Sequence, residues 1–146
     1  MENTQDIIPE LYSELNFGTP DVIDLAERCE LLAQILLDCR TIEQYQPVCR
    51  CLIAYLDALK PALNETLSDL RIIELTVDEM PPETKDWLLV DSDTQCDYCM
   101  VTAYSLLQTT DKADAATTAG LLHDLVCYMG DELKAPRFLS SEPQTA

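Results

Sequence analysis

Thr19-Pro-Asp-Val-Ile-Asp-Leu-Ala-Glu-Arg-Cys-Glu-Leu-Leu-Ala-Gln-Ile-Leu-Leu-Asp-Cys-Arg40 is the stretch that decides the fold class of this chain. At 100° per residue, Val22, Leu25, Ala26, Cys29, Leu32, Ala33, Leu36 and Leu37 fall on one face of a helix. Asp21, Asp24, Glu27 and Glu30 fall on the other. Thr19 has the chemistry of an N-cap and Pro20 suits the first helical position. Asp21 then sits in the first turn, where the positive end of the helix dipole favours a carboxylate. The period predicts an amphipathic helix running to about Arg40.

The same period extends in both directions. Before it, Pro9, Leu11, Tyr12 and Leu15 suit a short helix over 10–16, closed by Gly18. After it, Thr41-Ile-Glu-Gln44 has capping-box spacing, with Pro47 as an alternative start. Val48, Leu52, Tyr55, Leu56 and Leu59 form the stripe of that helix. Pro61 kinks it or opens a segment in which Leu63, Leu67 and Leu70 continue the period. Residues 71–77 are the one β-favouring run. They could pair with Trp87-Leu-Leu-Val90 in a small hairpin within 71–90, or end a helix near Leu75. Two more helices follow. The first runs from near Thr94 to Gln108, with Cys96, Cys99, Met100, Ala103, Leu106 and Leu107 inward. The second runs from Asp111 or Asp114 to Lys134, with Ala115, Ala119, Leu122, Leu125, Val126, Met129 and Leu133 inward. The expected fold is all-α, a compact bundle of about five helices in a single domain over 1–139, with a disordered tail over 140–146.

Charge bounds the function. The chain has 146 residues, and 27 acidic side chains against nine Lys and Arg give a formal charge of −18. Residues 1–30 carry eight acids and one base, and residues 78–97 carry seven and one. Such a field repels nucleic acid and anionic membranes and attracts basic surfaces. The N-terminus has neither a basic nor an apolar leader segment, so a cytoplasmic location with seven free thiols is expected.

Candidate chemistry centres on Cys96, Cys99, His123 and Cys127. A Cys-x-x-Cys and a His and Cys four apart could supply four zinc ligands. Against this, Cys96 and Cys99 lie on the apolar face of their own helix, as core thiols do. Asp91, Asp93 and Asp97 beside them disfavour thiolate and hence redox chemistry. His123 is the only histidine, and Asp124 projects about 100° away from it around the helix, poorly placed to orient the ring. Three scattered glycines make no phosphate-binding loop. The chain is therefore expected to be non-enzymatic and to need no cofactor.

The remaining feature is the arc of Asp21, Asp24, Glu27 and Glu30, extended by Asp38. Ile23, Leu31 and Ile35 lie in or beside it and do not fit the apolar face. One reading places a second layer of the protein over these aliphatics. The other makes the eight residues a partner-binding face, carboxylates with embedded apolar anchors. The expected function is then an inhibitor or regulator that engages a basic, nucleic-acid-handling protein through nucleic-acid mimicry. Phage- and plasmid-type inhibitors are one niche for that design. The alternatives are a zinc-stabilised helical domain, or a helical oligomeric scaffold or chaperone with Ile23, Leu31 and Ile35 between subunits.

Overall fold

In a computed structural model, which describes residues 7–80 and 91–140, the chain forms six helices and two very short strands. They are α1 (Ile8–Phe17), α2 (Val22–Asp38), α3 (Ile42–Ala62), α4 (Asp69–Glu74), β1 (Thr76–Val77), α5 (Ser92–Gln108), α6 (Lys112–Lys134) and β2 (Phe138–Leu139).

The helix starts are set by side-chain caps. Asp21, and not Thr19, caps α2. Its carboxylate accepts from the Asp24 N–H at 2.9 Å, and Asp24 accepts from the Asp21 N–H at 3.1 Å, a reciprocal capping box. Two orphan amides are satisfied at once, which moves the start inward from Pro20. Thr41 caps α3 through the Gln44 N–H at 3.2 Å, but the Gln44 side chain turns to the Arg40 N–H. Ser68, Asp91 and Asp111 cap α4, α5 and α6.

Four of these helices close a ring, with α2 packed on α3, α3 on α5, α5 on α6 and α6 back on α2. Adjacent helices run antiparallel. Cys49 Sγ donates to the Ala103 carbonyl and Cys96 Sγ to the Leu56 carbonyl, so α3 and α5 pair in opposite senses. Gln34 meets His123 and Glu30 meets Lys134, which orders α2 and α6 the same way. This is an up-down-up-down four-helix bundle. Its centre holds Leu32, Leu36, Leu52, Leu56, Leu122 and Met129, together with buried Cys29, Cys51, Cys96 and Cys99. α1 packs on α3, where the Tyr55 hydroxyl donates to the Leu11 carbonyl at 2.7 Å.

Of the two readings of 71–77, the helix ending near Leu75 is the one found, and no hairpin forms among the described residues. Residues 69–74 are helical, and Thr76–Val77 pairs in parallel with Phe138–Leu139, Thr76 opposite Phe138. A two-residue strand gains from tying the α3–α5 connection to the chain leaving α6, a partner no local pattern announces. The Trp87–Val90 half of that expectation lies outside the described residues. So does the expected disordered tail, apart from Ser140, whose N–H donates to the Val77 carbonyl at 2.8 Å. Leu37, expected inward, is exposed. Leu70 is exposed as well, because the α3 period stops at Ala62.

Candidate functional site

The carboxylates of α2 divide into two groups. Asp21 and Asp24 sit at the helix start, where α4 delivers Arg71. Its guanidinium reaches Asp21 at 2.8 Å, Asp24 at 2.7 Å and Glu74 at 2.7 Å. Burial acts to raise the Asp21 pKa, but hydrogen bonds from Arg71 and from the Asp24 N–H outweigh it, and the net shift is downward. The Arg71 cation is stabilised by the hydrogen bonds it donates, to Asp21 first and Glu74 second. Glu30 turns toward α6 and accepts from Lys134 Nζ at 2.5 Å. Gly130 makes the space, since a Cβ there would collide with the Glu30 carboxylate as it is placed. Glu27 and Asp38 remain exposed and outside these ion pairs.

The aliphatic anchors are corrected. Ile23 is 4% exposed and Ile35 7%, both in the core, and Leu31 is partly buried against it. An α2 that packs on both α3 and α6 buries a face wider than the single stripe of an outer helix, so aliphatics flanking the stripe are covered too. Ile23 and Ile35 are therefore not surface anchors and cannot pack between subunits while they lie inside one chain, and Leu31 keeps only part of its side chain outside. What α2 offers the surface is charge. A cleft of about 260 Å³ beside it is lined by Glu14, Asp24, Glu27, Arg28 and Tyr55. Among its described lining residues the one cation, Arg28, already binds Glu14 at 2.9 Å.

The proposed zinc set does not assemble. Cys96 and Cys99 are buried on α5, and among the described residues no group of three or more His, Cys, Asp or Glu converges to hold a metal ion. The cause is the one visible in the period: both thiols point into the core. Burial pushes Cys96 up to about 11 and Cys99 to about 12, so both stay protonated. Only His123 and Cys127 meet, with Sγ 3.5 Å from Nε2.

Around His123 the structure departs from the helical-wheel expectation. Asp124 reaches back to Nδ1 at 3.2 Å, and the Gln34 amide nitrogen lies 2.8 Å from Nε2. With that amide donating, Nε2 accepts and Nδ1 carries the proton that Asp124 receives. A thiol, an imidazole and a carboxylate thus stand in line on α6. The thiol pKa is nevertheless raised, by burial first and then by Glu30, Asp131 and Asp124. The surrounding field holds Cys127 as a neutral thiol, which is the unreactive form.

Sequence reasoning missed two residues that organise this surface, Arg71 and Lys134, whose partners lie 50 and 104 residues away in the chain. It also passed over the outer side of α5. Placing Cys96, Cys99, Ala103 and Leu106 inward leaves Tyr98, Val101 and Tyr104 outward, and these are 41%, 69% and 49% exposed. That signal was present in the period. No family model, curated protein or solved structure matches this chain.

Proposed function

We propose that this protein is a non-enzymatic acidic binding protein, an inhibitor or regulator that engages a basic, nucleic-acid-handling protein in place of nucleic acid. One observation carries the reading: among the described residues, the chain's own carboxylates engage four of the eight Lys and Arg side chains, and many carboxylates are left over. Arg28, Lys60, Arg71 and Lys134 each sit in an internal ion pair. Glu27, Asp38, Asp57, Asp69, Asp78 and Asp114 remain on the exposed surface with no described salt bridge. The surplus of −18 therefore projects into solvent, where it accelerates encounter with a basic partner and repels nucleic acid. A rigid bundle suits such display, since carboxylates on helices keep fixed spacing.

The test is kinetic. A basic partner, once identified and purified, should bind with an association rate that falls steeply as salt rises while dissociation changes little. An affinity that is the same at low and high salt would remove the electrostatic basis of this function.

A further inference from the structure

We propose that the outer face of the α5–α6 pair, built on Tyr98, Val101, Tyr104 and Leu121, is the docking surface for a basic amphipathic helix of the partner. This rests on the reading that the partner is basic, and it adds where the partner packs and in what form.

The four main helices treat their outer faces differently. α3 exposes no large apolar side chain and α2 exposes only Leu37. α5 exposes three, at positions 98, 101 and 104. Spacing of three along a helix makes them neighbours in one continuous ridge. Leu121, 50% exposed, stands on α6, the antiparallel neighbour of α5. By helical geometry it falls on the side of α6 turned toward α5, since His123 and Lys134, on the opposite side, meet α2. Tyr98 falls on the α6 side of α5, while Tyr104 shares the helical angle of Asp93 and Asp97, which reach Lys60 of α3, and so marks the α3 edge of the ridge. Tyr98, Val101 and Leu121 thus form an exposed apolar strip across the helix pair, the kind of surface against which a third helix lays its apolar stripe.

Charge selects the occupant. Exposed Asp114 and Asp124, in no described ion pair with Lys or Arg, flank the ridge on the α6 side, and exposed Asp93 and Asp97, which share Lys60, on the other. The bases of this hairpin are Lys112 and Lys134, and Lys134 is taken by Glu30. A second copy of a chain carrying −18 is repelled from this frame, whereas Lys and Arg flanking an apolar stripe complement it. The two tyrosines suit the same occupant, since their ring faces attract Lys or Arg cations while their hydroxyls stay in water. The combination expected on α2, carboxylates with apolar anchors among them, is thus realised on α5.

The probe is a labelled synthetic helix with Leu at i, i+3, i+4 and i+7 and Lys or Arg elsewhere. A composition-matched scrambled peptide is the control, and both are titrated into the full-length protein by fluorescence anisotropy. The patterned peptide is expected to bind more tightly than the scrambled one. The uncharged variants Val101→Ser and Tyr98→Ser/Tyr104→Ser should each weaken it about tenfold or more. The uncharged change Leu37→Ser, on α2 across the bundle from α5, should leave it unchanged. Amide shift perturbations in the unmodified protein should centre on residues 98–104 and 121, a readout that does not depend on any variant folding. Equal binding of the scrambled peptide overturns this docking surface. So does loss of binding only in the α2 variant, although that result leaves an acidic binding protein in place. Self-association through Val101 in light scattering overturns it in favour of a second copy. Failure of both peptides to bind at low salt removes the acidic-binder reading along with it.

Discussion

Arg71 shows how one residue can determine what a charged helix presents. It bridges Asp21 and Asp24 at the start of α2 and offsets part of their mutual repulsion across the capping box. Arg71→Gln should therefore lower stability by about 1–2 kcal/mol at neutral pH, measured by urea unfolding. The pH dependence has a definite sign. Asp21 has a pKa below its ordinary value in the folded protein, so its contribution is fully present above the unfolded pKa near 4 and is lost as pH falls through the folded value. The variant and the parent should converge in acid. A gap that stays constant down to the acid limit would show that Arg71 acts by packing alone.

Among the helices that bury side chains in the core, α1 is the one held least. It packs on α3, with the Tyr55–Leu11 hydrogen bond and the Arg28–Glu14 ion pair as its polar ties. The Tyr55 ring is buried, and removing its hydroxyl leaves the Leu11 carbonyl without that donor. Tyr55→Phe should cost about 1 kcal/mol. In hydrogen exchange its effect should appear first as faster opening of α1, with α2 and α6 keeping their protection. Uniform loss of protection across all helices would mean that α1 unfolds only with the bundle. At this scale the helical period was a good guide, because each of the four main helices buries a stripe wide enough to mark the sequence. It failed at Thr76–Val77, where the partner is set by which chain ends meet at one end of the bundle.

For the whole molecule, net charge sets the balance. A charge of −18 on a body of 146 residues repels itself, and folding brings those charges closer together. Moderate salt should raise the melting temperature of the isolated protein, while weakening its complex with a basic partner. Calorimetry over a salt series tests the first half, and a melting temperature that falls steadily with salt would count against surface repulsion as a main term. The opposed signs are useful, since a salt-induced loss of binding cannot then be ascribed to unfolding.

By itself the sequence determined the class of fold, the inward thiols at Cys96 and Cys99, and the excess of acid, since each follows from local spacing or from composition. It also carried the outward placement of Tyr98, Val101 and Tyr104. Only the tertiary structure decided which carboxylates are free. Arg71 and Lys134 find their partners across the fold, and ion pairing depends on proximity in space, to which a one-dimensional period is blind. Likewise the burial of Ile23 and Ile35 required knowing that α2 has two neighbours, for a helix's own pattern records the stripe it must bury and not the width its surroundings cover.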